Sequence, residues 1–310
     1  MQKLAVIDCG TNTFHLLVAT ISNTVFTVEY KKQFAVKLGE GGINQKQIQP
    51  EAFKRGVDAL VFFSQKLKEL NVNYLKAFAT SATRSAQNGL EFEREVFEKT
   101  GIRLSVIDGN REAQLIFKGV QQAFPMTDEN VLVMDIGGGS VEFTIGNKTS
   151  LQWFASFDIG AARLVEKYHR TEPISPADVM VLNTHLDEQL APLAAALQQY
   201  KVTKLVGSAG SFDSICELVN DKFGTTLFKN NETWDEIPLE YYQQIHSELL
   251  DSTYEDRLQM AGLADYRVEM MVVSSCLMHY VLSKFGLQKM YCSAYALKEG
   301  ALYEMLEKMG

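Results

Sequence analysis

The chain has 310 residues, 46% of them hydrophobic and 22% charged, with a formal net charge of −8 at pH 7. This composition is typical of a globular protein large enough for two domains, and it excludes disordered and fibrous chains. The acidic balance argues against nucleic-acid binding. The sequence has no run of 18 apolar residues and no secretory leader, which predicts a protein without a membrane partner.

Cysteine usage and the distribution of charge add two expectations. The four cysteines form no CxxC pair, which is typical of a reduced cytoplasmic protein and disfavours a zinc site. Residues 1–124 hold 16 basic and 12 acidic residues, whereas residues 125–310 hold 14 and 26. The first part would attract a polyanion better than the second, although chance variation over a solvated surface explains the asymmetry equally well.

The first 49 residues predict a strand meander followed by a loop. Residues 3–8, 14–21 and 25–36 are rich in β-branched and aromatic side chains, which favours three strands. Residues 38–44, LGEGGIN, contain three glycines and predict a flexible loop that serves as a lid or as a linker.

A helix, a strand and a polar loop follow. Pro50 favours the first helical position, and apolar residues continue at helical spacing to residue 67. Residues 75–80 predict a strand that leads into the polar loop 81–88, which contains one arginine, Arg84. Arginine can bind phosphate bidentately, although an ordinary surface arginine is the simpler interpretation from spacing alone.

Residues 91–100 predict a helix that ends at Gly101, and residues 103–107 predict a strand. The next helix, 111–120, carries Glu112 in its first turn. An acid that stabilises the helix macrodipole is the simpler interpretation from position alone, and the functional interpretation is a general base near a phosphate. Both interpretations of Glu112 stay open at this level.

The second half, from about Pro125, predicts another α/β domain. Strands are predicted at 131–134, 141–145, 151–157, 204–206 and 290–293, and helices at 160–168, 176–199 with a kink at Pro192, 212–218, 238–250, 254–261, 265–285 and 297–309. The segment GSAGS at 207–211 predicts a loop between a strand and a helix, an arrangement suited to anion binding.

One segment near the N-terminus repeats in the centre of the chain. Residues 5–18, AVIDCGTNTFHLLV, align with residues 132–145, LVMDIGGGSVEFTI, so that Asp8 falls on Asp135. Each copy has a strand, an acid, a glycine-containing turn and a second strand, which predicts two related domains that face each other across a phosphate. Glycine lets the backbone approach phosphate closely, and an acid beside it can bind a divalent metal.

These features define a candidate phosphate site. The sequence has no GxxxxGK[ST], GxSxG or CxxxxxR motif, and its five histidines form no ligand pattern. The remaining set is suited to metal-assisted attack of water on phosphorus, or to phosphoryl transfer from a nucleotide. It consists of the acids Asp8, Glu112, Asp135 and Glu142 and the loop residues Gly10, Thr11, Asn12, Thr13, Gly137, Gly138, Gly139, Ser140, Gly207, Ser208, Ala209, Gly210 and Ser211.

Five motifs resemble the exopolyphosphatase / guanosine pentaphosphate phosphohydrolase (Ppx/GppA) family, in the family's order and over nearly the whole chain. They are DCGTNT at 8–13, ATSATR at 79–84, GNREA at 109–113, DIGGGSVE at 135–142 and LKEGALY at 297–303. The resemblance implies the α/β architecture of the actin/hexokinase/Hsp70-like superfold. Two ribonuclease-H-like domains, 1–124 and 125–310, would flank an interdomain cleft, and the terminal helix, about 297–309, could pack back on the first domain.

The resemblance also implies roles for individual residues. Glu112 matches the proposed catalytic base that activates water, and Arg84 matches the phosphate-contacting arginine. Asp135 matches the acid of the second phosphate loop, and Asp8 and Glu142 match acids that bind Mg²⁺ or face the phosphate. The segments 137–140 and 207–211 match phosphate loops. The implied substrate is polyphosphate or guanosine pentaphosphate, and the implied assembly is a homodimer.

Three departures from the family pattern qualify these roles. Arg111 stands where the family usually has a second acid, and GSAGS at 207–211 replaces the more usual Gly-x-x-Gly-Thr form. The chain resembles the short members, which lack the extra helical domain that helps longer members to hold long polymers.

We therefore expect a cytoplasmic, Mg²⁺-dependent hydrolase of polyphosphate, with guanosine pentaphosphate as a second candidate substrate. Two alternatives stay open. One is an ATP-dependent phosphotransferase of the same superfold. The other is an alarmone or nucleotide sensor in which Arg111 prevents turnover.

Overall fold

The structure is a computed structural model that describes residues 2–22, 25–228 and 232–308. Its strands are β1 Gln2–Cys9, β2 Phe14–Ser22, β3 Val25–Phe34, β4 Tyr74–Ala79, β5 Ser105–Val106, β6 Val131–Ile136, β7 Val141–Gly146, β8 Leu151–Phe157, β9 Lys204–Ser208, β10 Trp234–Ile237 and β11 Lys289–Ser293. Its helices are α1 Pro50–Glu69, α2 Ser81–Ser85, α3 Gly89–Thr100, α4 Gly109–Ala123, α5 Ala161–Tyr168, α6 Pro176–Gln189, α7 Ala191–Gln199, α8 Gly210–Phe223, α9 Leu239–Asp251, α10 Tyr254–Leu258, α11 Val268–Lys284 and α12 Leu297–Glu307.

The chain divides into two compact units. One consists of Met1–Gly119 and Leu297–Gly310, and the other of Val120–Ala296, so the division falls within α4. Each unit contains one mixed sheet with helices packed on it, which confirms the predicted α/β class. Within the described ranges, no helix has the length and apolar character needed to cross a membrane.

The first unit has a five-stranded sheet in the order β3-β2-β1-β4-β5. β1 is antiparallel to β2 and parallel to β4, and β4 is parallel to β5. Helix α1 begins with Pro50, a position where the missing N–H has no intrahelical partner to lose, and it buries Leu60 and Phe63. The carboxyl ends of β1, β4 and β5 meet at one edge of the sheet, where ligands commonly bind in α/β proteins.

The second unit has a six-stranded sheet in the order β10-β11-β9-β6-β7-β8. β6 is antiparallel to β7 and parallel to β9, and all six of its residues are buried. A strand covered on both faces needs an almost continuous apolar sequence, which is why residues 131–134 were recognisable as a strand. The core around β6 includes Leu132, Phe143, Leu205 and Met271.

The predicted internal repeat is confirmed in both sheets. β1 and β6 each lie between one antiparallel and one parallel neighbour. Asp8 pairs with His15 in the β1–β2 register, and Asp135 pairs with Glu142 in the β6–β7 register. The aligned residues therefore occupy equivalent places in the two units.

Several sequence-based predictions need correction. Residues 81–85 form the short helix α2 within the predicted loop, and strand β5 has only two residues. The predicted helix 176–199 is two helices, α6 and α7, because Pro192 has no N–H to donate and its ring crowds the preceding turn. Strand β10 was not predicted, since its four residues include two acids that disfavour strands.

Residues 38–44, predicted as a flexible lid or linker, form an ordered turn region. Leu38 and Ile43 are buried. The Arg55 side chain on α1 donates from Nε to the carbonyl oxygen of Val36 at 2.8 Å and from Nη2 to Glu40 at 2.6 Å. Two buried apolar side chains and the bound Arg55 hold the segment against α1.

The terminal helix α12 packs within the first unit. A Cβ on Gly300 would lie 1.9 Å from the carbonyl oxygen of Leu115, so only glycine permits this close approach of α12 to α4. An ion pair between Lys118 and Glu307 joins the same two helices. The helix ends at Glu307, and residue 309 of the predicted range lies outside the described residues.

His246, on α9, is buried against α11 in the second unit. Its Nδ1 atom lies 2.8 Å from Ser275 Oγ, and its ring stacks on His279 with centroids 4.3 Å apart. Burial, and secondarily the charge of His279, lowers the pKa of His246 from 6.5 to about 4. The folded protein therefore keeps this residue neutral at pH values where the unfolded chain binds a proton.

We expect His246 to weaken the fold in mild acid. Its contribution to the free energy of unfolding is complete above about pH 6.5 and is lost as the pH falls towards about 4, a loss of about 3 kcal/mol. Denaturant titrations at about pH 7 and about pH 4.5 measure it. The variant His246→Gln cannot take up this proton and should lose less stability than the parent; equal losses would contradict the prediction.

Candidate functional site

The turn after β1 is held by backbone hydrogen bonds. The amide of Gly10 donates to the carbonyl oxygen of Thr13 at 3.1 Å, and the carbonyl oxygens of Thr11 and Asn12 accept from the amides of Gly39 at 3.0 Å and Lys37 at 2.7 Å. Thr11, Asn12 and Thr13 are all buried. The region 37–39 thus fixes the shape of the predicted loop 10–13.

Asp8 lies at the end of β1, directly before this turn. Its cross-strand neighbour His15 has Nε2 at 2.9 Å from Thr13 Oγ1, which fixes the Thr13 hydroxyl. The adjacent thiol of Cys9 is buried, and its burial, followed by the negative charge of Asp8, raises its pKa well above the ordinary value. Cys9 is therefore a neutral core residue and not a nucleophile.

Arg84 and Glu112 meet at the same edge of the first sheet. Arg84 Nη1 donates to Glu112 Oε2 at 3.0 Å and to the carbonyl oxygen of Ile107 at 2.8 Å. The Glu112 residue is only 8% exposed. Asp108 caps the helix, since its Oδ1 accepts from the Arg111 amide at 2.7 Å. Arg84 is thus bound to Glu112 and is not a free surface arginine, and Glu112 is a nearly buried ion-pair partner as well as a first-turn acid.

Arg111 is directed to the terminal helix. Its guanidinium forms an ion pair with Glu304 of α12, within the first unit. Burial alone would raise the pKa of Glu304, but hydrogen bonds from Arg111 and Lys308 outweigh it and lower the pKa. Neighbouring residues on a helix point about 100° apart. The Arg111 side chain therefore joins α4 to α12, while the Glu112 side chain points in another direction and contacts Arg84.

Asp135 and Glu142 form a carboxylate pair in the second unit. They are directly opposite each other on β6 and β7 and are 7% and 2% exposed. Like charges in this position repel, and each is satisfied by a hydroxyl: Ser208 Oγ donates to Asp135 and Ser156 Oγ donates to Glu142, both at 2.6 Å. Two adjacent carboxylates are a donor set that a divalent cation can bind.

The turn 137–140 has the same closure as the turn in the first unit. The amide of Gly137 donates to the carbonyl oxygen of Ser140 at 3.0 Å. The carbonyl oxygens of Gly137, Gly138 and Gly139 accept from α5, through the Ala161 amide, the Ala162 amide and Arg163 Nε at 2.7–2.9 Å. Within the described ranges, no hydrogen bond uses the amides of Gly138 or Gly139. These amides are suited to bind an anion.

The predicted loop 207–211 is shorter than expected. Gly207 and Ser208 end β9, Gly210 and Ser211 begin α8, and only Ala209 lies between them. Ala209 has φ 66° and ψ 178°, a conformation that favours glycine. The Ser211 hydroxyl donates to Ser274 Oγ at 3.2 Å, so it packs α8 against α11. Strained backbone at a candidate site indicates a conformation that the surrounding structure maintains.

Arg267 was missed by the sequence analysis. A Cβ on Gly210 would lie 1.7 Å from Arg267 Nη2, so the guanidinium occupies the space above the glycine at the start of α8. An arginine against a helix N-terminus provides positive charge where an anion binds. No local pattern marks Arg267, because 57 residues separate it from Gly210 in the sequence.

The predicted Mg²⁺ site can be compared with the carboxylates that the structure brings together. Among the described residues, no group of three or more His, Cys, Asp or Glu side chains forms a metal cage. Mg²⁺ does not require one, since it commonly binds one or two carboxylates together with water and substrate phosphates. The Asp135–Glu142 pair fits that mode. Asp8 belongs to the other unit, where His15 replaces the second acid.

Comparison with known proteins identifies one family. The model of the Ppx/GppA phosphatase family matches residues 17–309. The crystal structure of an exopolyphosphatase from Cytophaga hutchinsonii is 40% identical to this chain, with a TM-score of 0.96, and the match covers 99% of this chain and 98% of that one.

Two further relatives agree. A Haemophilus influenzae protein named provisionally as an exopolyphosphatase is 27% identical over 305 residues, which cover 98% of this chain and 92% of the relative. A crystal structure of the Aquifex aeolicus Ppx/GppA family member shares the fold at 20% identity, with a TM-score of 0.82 over 100% of this chain and 99% of that one. Because the family model spans nearly the whole chain, this protein belongs to the Ppx/GppA phosphatase family.

Proposed function

We propose that this protein is a Mg²⁺-dependent phosphoanhydride hydrolase that removes the terminal phosphate of inorganic polyphosphate. Family membership supports a phosphatase, and the names of the Cytophaga and Haemophilus relatives support polyphosphate as the substrate. The observation that carries the proposal is the Arg84–Glu112 pair at the carboxyl edge of the first sheet. Guanosine pentaphosphate is the second candidate substrate, because it also ends in a phosphoanhydride.

Glu112 acts as the general base. Its carboxylate is nearly buried and is oriented by Arg84, and a carboxylate held in this way can take a proton from water. The water oxygen bonds to the terminal phosphorus, and the bond from that phosphorus to the bridging oxygen breaks. The products are inorganic phosphate and a chain shorter by one phosphate. Positioning of the water and electrostatic stabilisation of the phosphoryl oxygens supply most of the catalysis in such a reaction.

Each unit, taken by itself, supplies donors that suit phosphate oxygens. The amides of Gly138 and Gly139 are unused by the fold, and Arg267 places its charge beside Gly210. Arg84 supplies charge next to the base. Donors fixed before the substrate arrives stabilise developing charge without reorganisation.

Asp135 and Glu142 would hold Mg²⁺, with Asp8 as a further phosphate-facing acid. When bound, the ion neutralises charge on the phosphate oxygens. Ser208 and Ser156 orient the two carboxylates through their hydroxyl groups, as outer partners of metal ligands commonly do.

The alternatives have less support. Family membership in a phosphatase group argues against the ATP-dependent phosphotransferase. The sensor hypothesis depended on Arg111 spoiling the site, and the Arg111–Glu304 ion pair removes that reason.

The proposal also includes a cytoplasmic location, supported by four buried free cysteines, and a homodimer, for which the family resemblance is the only support.

We expect Glu112→Gln to reduce phosphate release by about 10²–10⁴-fold, because the amide cannot accept the proton. Polyphosphate binding should change little. Steady-state release of phosphate, with a melting curve for each protein, measures both effects. Glu91→Gln is the matched control, since Glu91 is an exposed acid in the first turn of α3. Full activity in the Glu112 variant would refute the base assignment.

We expect Glu142→Gln to raise the Mg²⁺ concentration for half-maximal activity by about tenfold or more, because one carboxylate of the pair is lost. A Mg²⁺ titration of activity measures it, with Asp128→Asn, an exposed acid of the same unit, as the control. An unchanged titration would show that Glu142 does not hold the ion.

The central experiment compares phosphate release from long polyphosphate, short polyphosphate, guanosine pentaphosphate and ATP in the presence of Mg²⁺. Release from polyphosphate that is abolished by a chelator and by Glu112→Gln supports the proposal. Tight binding without release would instead favour the sensor.

A further inference from the structure

We propose that the Ser81 hydroxyl binds a phosphate oxygen in the first unit and determines substrate affinity. This inference depends on the proposed function for the class of ligand, a phosphate or polyphosphate anion. Ser81 lies in the sequence between the strand β4 and Arg84 and has no role in the assignments above.

Ser81 is buried without a hydrogen-bond partner. Its residue is 2% exposed, and within the described part of the chain its Oγ has no donor or acceptor in reach. Most buried hydroxyl groups in proteins are hydrogen-bonded, because an unpaired one lowers stability. A buried hydroxyl that the fold leaves unpaired is suited to bind a ligand that supplies the missing partner.

The position of Ser81 points towards the base. Ser81 and Arg84 are three residues apart on α2 and so share a helix face. Arg84 on that face donates to Glu112. The residue before α2, Thr80, is joined to β1 through its amide, which donates to the carbonyl oxygen of Cys9 at 3.3 Å. Ser81 therefore lies where the turn 10–13, Arg84 and Glu112 come together.

Two other unpaired donors lie in that turn. Thr11 Oγ1 and Asn12 Nδ2 are buried, and neither has a partner among the described residues. The Thr11 methyl group packs on Gly39, where an added Cβ would lie 2.5 Å from Thr11 Cγ2. Three neutral groups able to donate hydrogen bonds at one sheet edge match the acceptor oxygens of a phosphate.

Thr83 provides an internal control. It too is buried with an unpaired hydroxyl, but two residues along the helix place it on another face than Ser81. A Cβ on Gly89 would lie 3.7 Å from Thr83 Cγ2, so Thr83 packs towards the start of α3. The two hydroxyls share burial and lack of partners but differ in direction.

The test compares Ser81→Ala with Thr83→Val. Melting curves without ligand and calorimetric titrations with tripolyphosphate, both on the full chain without Mg²⁺, separate folding from binding. We expect both variants to melt at or above the parent temperature, because each loses an unpaired buried hydroxyl. We expect the tripolyphosphate dissociation constant to rise about tenfold for Ser81→Ala and to stay at the parent value for Thr83→Val.

Each other outcome overturns the assignment. Parent-like binding by Ser81→Ala would show that the hydroxyl does not contact the ligand, and equal weakening in both variants would show a general effect of α2. A lower melting temperature for Ser81→Ala would show that the hydroxyl has a structural partner. Absence of binding by the parent also overturns it. If the parent binds tripolyphosphate but does not hydrolyse polyphosphate, the proposed function is refuted. The comparison of Ser81→Ala with Thr83→Val in binding then still decides the Ser81 assignment.

Discussion

The hydrogen bond that closes each glycine turn is the constraint on which the candidate site of each unit depends. In one unit it joins Gly10 to Thr13, and in the other Gly137 to Ser140, at 3.1 and 3.0 Å. A Cβ on either glycine would lie 3.0 Å from the carbonyl oxygen that accepts the bond. Each turn therefore keeps its shape only while its first residue remains small, and the acid before it keeps its place at the strand end.

Strand topology explains why the other site residues collect near these turns. A central strand with one parallel neighbour shares its carboxyl edge with the loop that follows that neighbour. In the first unit this neighbour is β4, which leads to Arg84; in the second it is β9, whose last residue, Ser208, contacts Asp135. Residues 73 positions apart thus become hydrogen-bonded through sheet order alone.

Local patterns could predict the turns, the acids and most of the elements, because strand, turn and helix signals act over a few residues. The repeat located Asp8 and Asp135, and the family motifs located Arg84 and Glu112. The sequence did not indicate Arg267 above Gly210, the Ser208–Asp135 bond or the short α2. These features depend on tertiary packing between distant segments, and no local pattern records them.

Arg111 illustrates how such packing changes an interpretation. In the sequence it adds a positive charge next to Glu112, the proposed base. In the fold, Glu304 binds it and Gly300 brings α12 close to α4. A charge next to a site residue in sequence acts on the site only if its side chain points there. The terminal helix therefore neutralises the substitution that had suggested a loss of activity.

The equivalence of the two turns shows that one local backbone arrangement can carry two different sets of side chains. The closing hydrogen bond is the same in both copies, because it joins two residues of the turn itself. Opposite the aligned acids Asp8 and Asp135, one copy carries His15 and the other carries Glu142. The residue at this one position differs between the copies: in the first, His15 contacts the Thr13 hydroxyl, and in the second, Glu142 places a second carboxylate beside Asp135. The same strand pairing therefore supports two different local environments.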